Sequence, residues 1–281
     1  MYTILEKKIL APGMQLMKIG APLVARKARP GQFIILRVSD RGERIPLTIA
    51  DFDRQEGWVT IIFQEVGFTT KELGSLEEGD YILDFAGPLG KASDLDGLKN
   101  VLCIGGGVGI APLYPQIKYL AEADALVNVI IGARNKEYII LEDQIKDRSD
   151  NIYIATDDGS RGHKGFVTDV LTRLMAEEDN RYDMVIAIGP LPMMRAVAEL
   201  TREYNIPTRV SLNPIMIDGT GMCGGCRVTV GGATKYACVD GPEFDGHLVD
   251  FDEAIRRQGM YKQEEKVEHS CRLTNKGVGD R

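Results

Sequence analysis

The sequence predicts an antiparallel β-barrel, then a parallel α/β domain, then a small cysteine-bearing C-terminal segment. Three observations carry this prediction. Short β-rich runs separated by turn residues fill the chain up to about residue 90, and from about residue 95 apolar strands alternate with helical stretches. After residue 213, three of the five cysteines (Cys223, Cys226 and Cys238) fall within sixteen positions of a glycine-rich stretch.

The 281 residues correspond to about two domains. A content of 44% hydrophobic and 27% charged residues is that of a folded soluble chain and excludes intrinsic disorder. No apolar run reaches the roughly 18 residues of a membrane helix, and Met1–Lys8 has neither the basic start nor the apolar core of a signal peptide. The expected compartment is therefore the cytoplasm, with no membrane contact. Lys plus Arg is 34 against 41 Asp plus Glu, a net charge of −7, which leaves no electrostatic footprint for nucleic acid. Glycine supplies 31 residues, about 11% against a usual ~7%, as expected where backbone approaches cofactors.

In residues 1–94 the runs GQFIILRV, RIPLTIADF and GWVTIIFQEV read as barrel strands between Pro, Gly and Asp turns. Pro46 lies inside the second run, which makes that stretch an edge or a bulge. The segments Arg44-Ile45-Pro46-Leu47-Thr48 and Gly67-Phe68-Thr69-Thr70 set a cation and hydroxyls beside a glycine turn. A phosphate and a flavin ring require such groups, although a strand-edge arginine is also common in plain solvent.

In residues 95–212 the strand candidates are NVLCIGG, LVNVIIGA, NIYIAT, YDMVIAIG and TRVSLN. Helical patterns fall at Pro112–Ala123, Tyr138–Lys146, Gly165–Ala176 and Pro192–Tyr204. Such alternation implies βαβ units and a parallel, Rossmann-like sheet covered on both faces. The run VLCIGGGVGIAP leads a strand through Gly105, Gly106, Gly107, Val108 and Gly109 into a helix start, where backbone amides can face a pyrophosphate. Its spacing is not the GxGxxG fingerprint. Further strand ends carry Gly132-Ala133-Arg134, then Asp157-Asp158 after Thr156, then Gly189-Pro190-Leu191-Pro192-Met193. Acidic groups at a strand end suit ribose hydroxyls, so the ligand expected is NAD(H), with Arg134 the one feature pointing to NADP.

Residues 213–281 hold the cysteine cluster and a weakly helical piece at Phe251–Gln258. In an odd-cysteine cytoplasmic chain such a cluster reads as a metal or iron–sulfur site more readily than as disulfides. Cys103 reads as a small core residue. Cys271, His163, His247 and His269 have no ligand spacing with the cluster.

The order Arg-x-Pro-x-Thr, Gly-x-Thr-Thr, GGGVGIAP, Gly-Pro-x-x-Met resembles the ferredoxin reductase family, with its FAD barrel first and nicotinamide domain second. With the cysteine segment it is most similar to the electron-transfer subunits of dihydroorotate dehydrogenase and to the related small subunits of NADH-dependent reduced ferredoxin:NADP oxidoreductase, also described as sulfide dehydrogenase subunits. The resemblance reaches about residue 250. It implies that Arg44, Pro46, Leu47 and Thr48 hold the isoalloxazine and ribityl part of FAD, and that Gly67, Thr69 and Thr70 receive its pyrophosphate. Two departures stand out. The family usually has Cys before Gly-Pro-x-x-Met, where this chain has Ile188. The family's Cys-x4-Cys-x2-Cys followed about eleven residues later by a fourth Cys, which holds one [2Fe–2S] centre, is here Asp218-x4-Cys223-x2-Cys226-x11-Cys238, so Asp218 stands as an oxygen ligand in place of a thiolate. A zinc knuckle on the same four groups and a redox CxxC are the competing readings. The resemblance further implies a larger flavoprotein or iron–sulfur partner subunit in a heterodimer. The aspartate favours the electron-bifurcating ferredoxin:NADP oxidoreductase, with the dihydroorotate dehydrogenase subunit as the alternative. A zinc-containing nucleotide-binding scaffold is the alternative of another class.

Overall fold

The computed structural model of the chain describes residues 1–40, 42–176 and 181–260, so Cys271 and His269 lie outside the described residues. In the first region, β1 (Tyr2–Ala11), β2 (Met14–Gly20), β3 (Phe33–Arg37), β4 (Ile45–Asp53), β5 (Trp58–Gln64), β6 (Tyr81–Ile82) and β7 (Asp84–Leu89) form one antiparallel sheet in the order β6-β1-β2-β5-β4-β3-β7. The two outermost strands are consecutive in the chain, separated by Leu83 alone. The sheet therefore curls until its edges approach, giving a nearly closed barrel. Its interior follows the two-residue period of a strand: Ile34 and Leu36 on β3, and Val59, Ile61 and Phe63 on β5, are all buried in one cluster.

Pro46 sits where the sequence places an edge. β4 pairs with β5 only from Ile49 onward, whereas Pro46 pairs with Ile35 of β3 on the other side. From Ile45 to Thr48 the strand thus has one free flank, which a residue lacking an N–H tolerates. Two short helices, α1 (Pro22–Ala25) and α2 (Phe68–Gly74), attach to the barrel. The second occupies the expected Gly-x-Thr-Thr turn, and its seven residues are too few for helical periodicity to show in sequence.

The second region contains β8 (Asn100–Gly106), α3 (Ile110–Glu122), β9 (Leu126–Ala133), α4 (Glu142–Lys146), β10 (Asn151–Thr156), β11 (His163–Lys164), α5 (Val167–Ala176), β12 (Met184–Ile188), α6 (Leu191–Glu203) and β13 (Thr208–Ser211). β8, β9 and β10 coincide with their apolar runs. The helix expected at Tyr138–Lys146 is shorter, because Leu141 adopts a left-handed conformation (φ 58°) immediately before α4. The strands β11-β10-β9-β8-β12-β13 are parallel, with the chain leaving β8 first toward β9 and later toward β12. That reversal beside β8 is the switch point where ligands collect in such sheets. α3 packs on the barrel: Ile110, Leu113 and Ile117 share a core with Met14, Ala50 and Ile62, and Lys118 pairs with Asp51 at 2.9 Å.

The third region comprises the hairpin β14 (Arg227–Val230) and β15 (Ala233–Tyr236), then α7 (Ala237–Asp240), β16 (Glu243–Asp245) and α8 (Phe251–Gln258). β16 adds antiparallel to β13, with Val210 opposite Phe244. The cysteine segment is thereby joined to the parallel sheet by three residues too few to carry a strand pattern. Among the described residues no helix is long and apolar enough to cross a membrane.

Candidate functional site

A cavity of about 1010 Å³ opens where the free flank of β4 faces the ends of the parallel strands. Pro46, Leu47, Thr48 and Thr70 line it from the barrel. Gly106, Gly107, Val108 and Gly109 line it after β8, Gly132, Ala133 and Arg134 at the end of β9, Asp157 after β10, and Gly189, Pro190 and Met193 after β12. Most of the residues singled out in sequence thus meet in one place. Close packing explains part of the glycine content. A β-carbon on Gly106 would lie 2.5 Å from the Met193 sulfur.

The remaining expected residues stand around the cavity and not on its wall. Arg44 is exposed just ahead of β4. Gly105 is buried within β8 between Ile131 and Ile188, and a β-carbon there would meet Ile110 at 2.5 Å. Gly67 is the N-cap of α2, and Thr70 Oγ1 accepts hydrogen bonds from the Gly67 and Val66 amides at 3.0 Å each. Thr69 is 3% exposed, and its buried hydroxyl has no partner among the described residues. Asp158 closes a turn by accepting from Ser160 N at 2.9 Å. Hydrogen bonds from the Ser160 side chain and backbone hold its carboxyl below the usual carboxylate range.

Sequence reasoning also left out part of the wall, and four of those residues matter most to the site. Phe166 is 67% exposed at the cavity, and Asn213, Met216 and Gln258 bring the third region into the same wall. A lone aromatic in a polar loop, or a polar residue at a helix end, carries no local signal. Arg134 lies over the Tyr138 ring at 5.8 Å, so its guanidinium already has an aromatic partner.

In the cysteine segment, Cys226 and Cys238 are buried with their sulfurs 3.1 Å apart, while Cys223 is exposed. Burial, reinforced by Cys226, pushes the Cys238 thiol up to about 12. Asp218 Oδ1 accepts from Thr220 N at 2.9 Å and Oδ2 from Cys223 N at 3.1 Å. The Thr220 amide is the main reason its carboxyl lies below the usual range. The Gly225 and Cys238 amides point at the Cys223 and Cys226 sulfurs, each at 3.5 Å. Among the described residues no three His, Cys, Asp or Glu groups converge tightly enough to hold a single metal ion. A donor set of three thiols and one carboxylate on a glycine loop, with amides turned to sulfur, is chemically suited to an iron–sulfur cluster.

Comparison with known proteins agrees with this geometry. Residues 213–250 match the iron-sulfur cluster binding domain of dihydroorotate dehydrogenase B, and residues 103–199 match the oxidoreductase NAD-binding domain. A Thermotoga maritima homologue of the dihydroorotate dehydrogenase B (NAD(+)) electron transfer subunit is 48% identical over 262 residues, covering 93% of this chain and 92% of that protein. The chain belongs to the family of dihydroorotate dehydrogenase B electron transfer subunits. Within this family of oxidoreductase subunits it carries both an NAD-binding and an iron–sulfur cluster-binding domain. A Clostridium beijerinckii member, described by its position in the adh 3′ region, is 54% identical over 272 residues and covers 94% of this chain and 92% of its own. A chain of the NADH-dependent reduced ferredoxin-NADP oxidoreductase, described for flavin-based electron bifurcation, superposes with a TM-score of 0.91. It is 46% identical and covers 97% of this chain and 98% of its own. Barrel first and parallel domain second is the ferredoxin reductase-type arrangement.

Proposed function

We propose that the chain is the NADH-side electron-transfer subunit of a larger cytoplasmic flavoprotein complex, built as an FAD-binding barrel (1–94), an NAD-binding domain (95–212) and a [2Fe–2S] segment (213–281). One observation carries the reading: a single cavity is walled by β4, by the glycine turn after β8 and by Asn213, Met216 and Gln258 of the third region. When bound there, FAD supplies the exchange between hydride and single-electron chemistry, and a [2Fe–2S] centre supplies a one-electron carrier. The protein's part is placement. Arg44, Pro46, Leu47 and Thr48 offer a one-sided strand and its leading arginine to the isoalloxazine and ribityl part of FAD, with the Gly67–Thr70 helix start facing the pyrophosphate. Gly106 to Gly109 leave amides free for the nucleotide pyrophosphate, Asp157 faces the adenosine ribose, and Gly189, Pro190 and Met193 seat the nicotinamide. Asp218, Cys223, Cys226 and Cys238 hold the cluster.

The partner that fits best is the large subunit of an electron-bifurcating ferredoxin:NADP oxidoreductase. Near end-to-end similarity of this chain to a chain of such an oxidoreductase supports this, as does the aspartate in the first ligand position. The cluster-domain match to dihydroorotate dehydrogenase B favours the second reading, a partner that oxidises dihydroorotate. Anaerobic purification with the co-expressed partner tests the proposal. FAD, iron and sulfide in a 1:2:2 ratio per chain, bleached by NADH, are expected, and Arg44→Ala should shed FAD on gel filtration. A colourless zinc protein, or FMN as the extracted flavin, overturns it, and dihydroorotate-dependent NAD reduction selects the second partner.

A further inference from the structure

Two arginines that have no part in the proposed electron path hold the cysteine loop from outside. Arg227, the first residue of β14, donates from Nη1 to the Gly224 carbonyl at 3.3 Å. Arg257, in the last turn of α8, donates from Nη2 to the Gly225 carbonyl at 3.1 Å. Gly224 and Gly225 are the two residues between Cys223 and Cys226, so each carbonyl of that turn is held by a guanidinium.

A planar trans peptide that points its carbonyl one way points its N–H the other. The Gly224 carbonyl shares its peptide unit with Gly225 N, and that amide lies 3.5 Å from the Cys223 sulfur. The Arg227 backbone amide also donates to this carbonyl at 3.4 Å, so the guanidinium reinforces an orientation that aims the Gly225 amide at the Cys223 sulfur. Arg257 holds the next peptide unit, the one that ends at Cys226 N, by its Gly225 carbonyl. Its own position is fixed by α8, whose first turn is capped by Asp250 and anchored by buried Phe251. Asp252 of the same helix pairs with Arg195 of α6 at 2.8 Å. Arg257 Nε is buried without a partner among the described residues, beside a cavity of about 160 Å³ between α8 and the loop. Arg257 is half-buried and Arg227 exposed, so of the two cations Arg257 is the less screened and acts more strongly on a neighbouring charge.

We propose that Arg227 and Arg257 form a clasp that sets the reduction potential and the iron retention of the cluster, as positioning residues acting through the Gly224 and Gly225 peptides. The inference rests on the [2Fe–2S] reading above. Reduction adds negative charge to the site, and both the aimed Gly225 amide and the two cations stabilise it, so the clasp raises the potential.

The test uses the purified complex with Arg227→Gln, Arg257→Gln, the double variant and Arg257→Lys. The measurements are EPR-monitored redox titration, the rate of iron loss to a chelator, and Tm. Each single Gln variant should favour the oxidised cluster several-fold. The double variant should do so about tenfold, which is ~59 mV for one electron, and should lose iron several-fold faster. Arg257→Lys, which keeps the charge, should retain a higher potential than Arg257→Gln. A lowered Tm with unchanged potential and iron loss would show α8 anchoring alone and overturn the clasp. The single variants decide the matter if the double variant does not fold. A wild-type complex without iron and sulfide overturns both the clasp and the reading beneath it.

Discussion

A β-carbon on Gly109 would lie 2.3 Å from the carbonyl oxygen of Ile188. Gly109 has an ordinary helical φ of −63°, so the requirement is for space. The turn after β8 and the end of β12 are pressed together there, and both line the cavity.

Gly109→Ala should therefore part these two strand ends. Overpacking of this kind costs about 1–3 kcal/mol, and the displaced amides should weaken NADH binding about tenfold or more. Thermal melting and NADH titration of the flavin absorbance measure the two effects. Wild-type affinity in the variant would remove Gly109 from the nucleotide site.

Nucleotide preference should depend on Asp157 and not on Asp158. Asp157 lines the cavity, whereas the Asp158 carboxylate is engaged by Ser160 in the turn. A carboxylate at the ribose repels a 2′-phosphate, so stopped-flow reduction should be faster with NADH than with NADPH. Asp157→Asn should narrow the ratio about tenfold, roughly 1.4 kcal/mol, and Asp158→Asn should leave it unchanged. Equal rates with both nucleotides in the wild type would contradict the assignment.

Asp218 is expected to be the fourth cluster ligand, and it also caps its own loop through the Thr220 and Cys223 amides. Asp218→Cys should assemble a cluster with altered EPR g-values, since oxygen is a harder donor than sulfur. Asp218→Ala should give an incomplete or readily lost cluster. A full iron and sulfide count with an unchanged spectrum in Asp218→Ala would leave the aspartate as a turn residue only.

Glu243 lies where the three regions meet, accepting from Ser93 Oγ at 2.9 Å and from Gln116 Nε2 at 2.6 Å. Burial raises its carboxyl above the usual range, against the opposing effects of Ser93, Arg209 and Gln116. A carboxyl with a raised folded pKa binds its proton more tightly in the folded state. Stability therefore falls as pH rises from the ordinary glutamate range through the raised value. Glu243→Gln keeps an oxygen for both donors and removes that loss. Its Tm should exceed the wild type's at pH 8 and converge with it toward pH 4, by scanning calorimetry. A variant less stable than wild type at pH 8 would refute this account.

Much of the fold was legible because apolar runs buried on both faces announce parallel strands. The limits of β8 and β9 coincide with NVLCIGG and LVNVIIGA for that reason, and the half-buried β10 still matches the apolar run NIYIAT. Pro46 likewise marked a strand with one free flank, since a residue without an N–H restricts its pairing wherever it occurs. The glycine turn after β8 and the spacing of the cysteines were equally local, because backbone freedom and thiol chemistry belong to the residues themselves.

Tertiary structure alone decided which neighbours reach the site. Asp157 lines the cavity and Asp158 the adjoining turn, while Thr70 is on the wall and Thr69 beneath it. Adjacent residues of one type look alike in sequence, and only the packing of distant elements selects the one that faces the ligand. The three-residue β16 and the two arginines holding Gly224 and Gly225 were invisible for the same reason. Periodicity records burial and local conformation, but it takes the folded chain to bring Arg257 to a carbonyl 32 residues earlier.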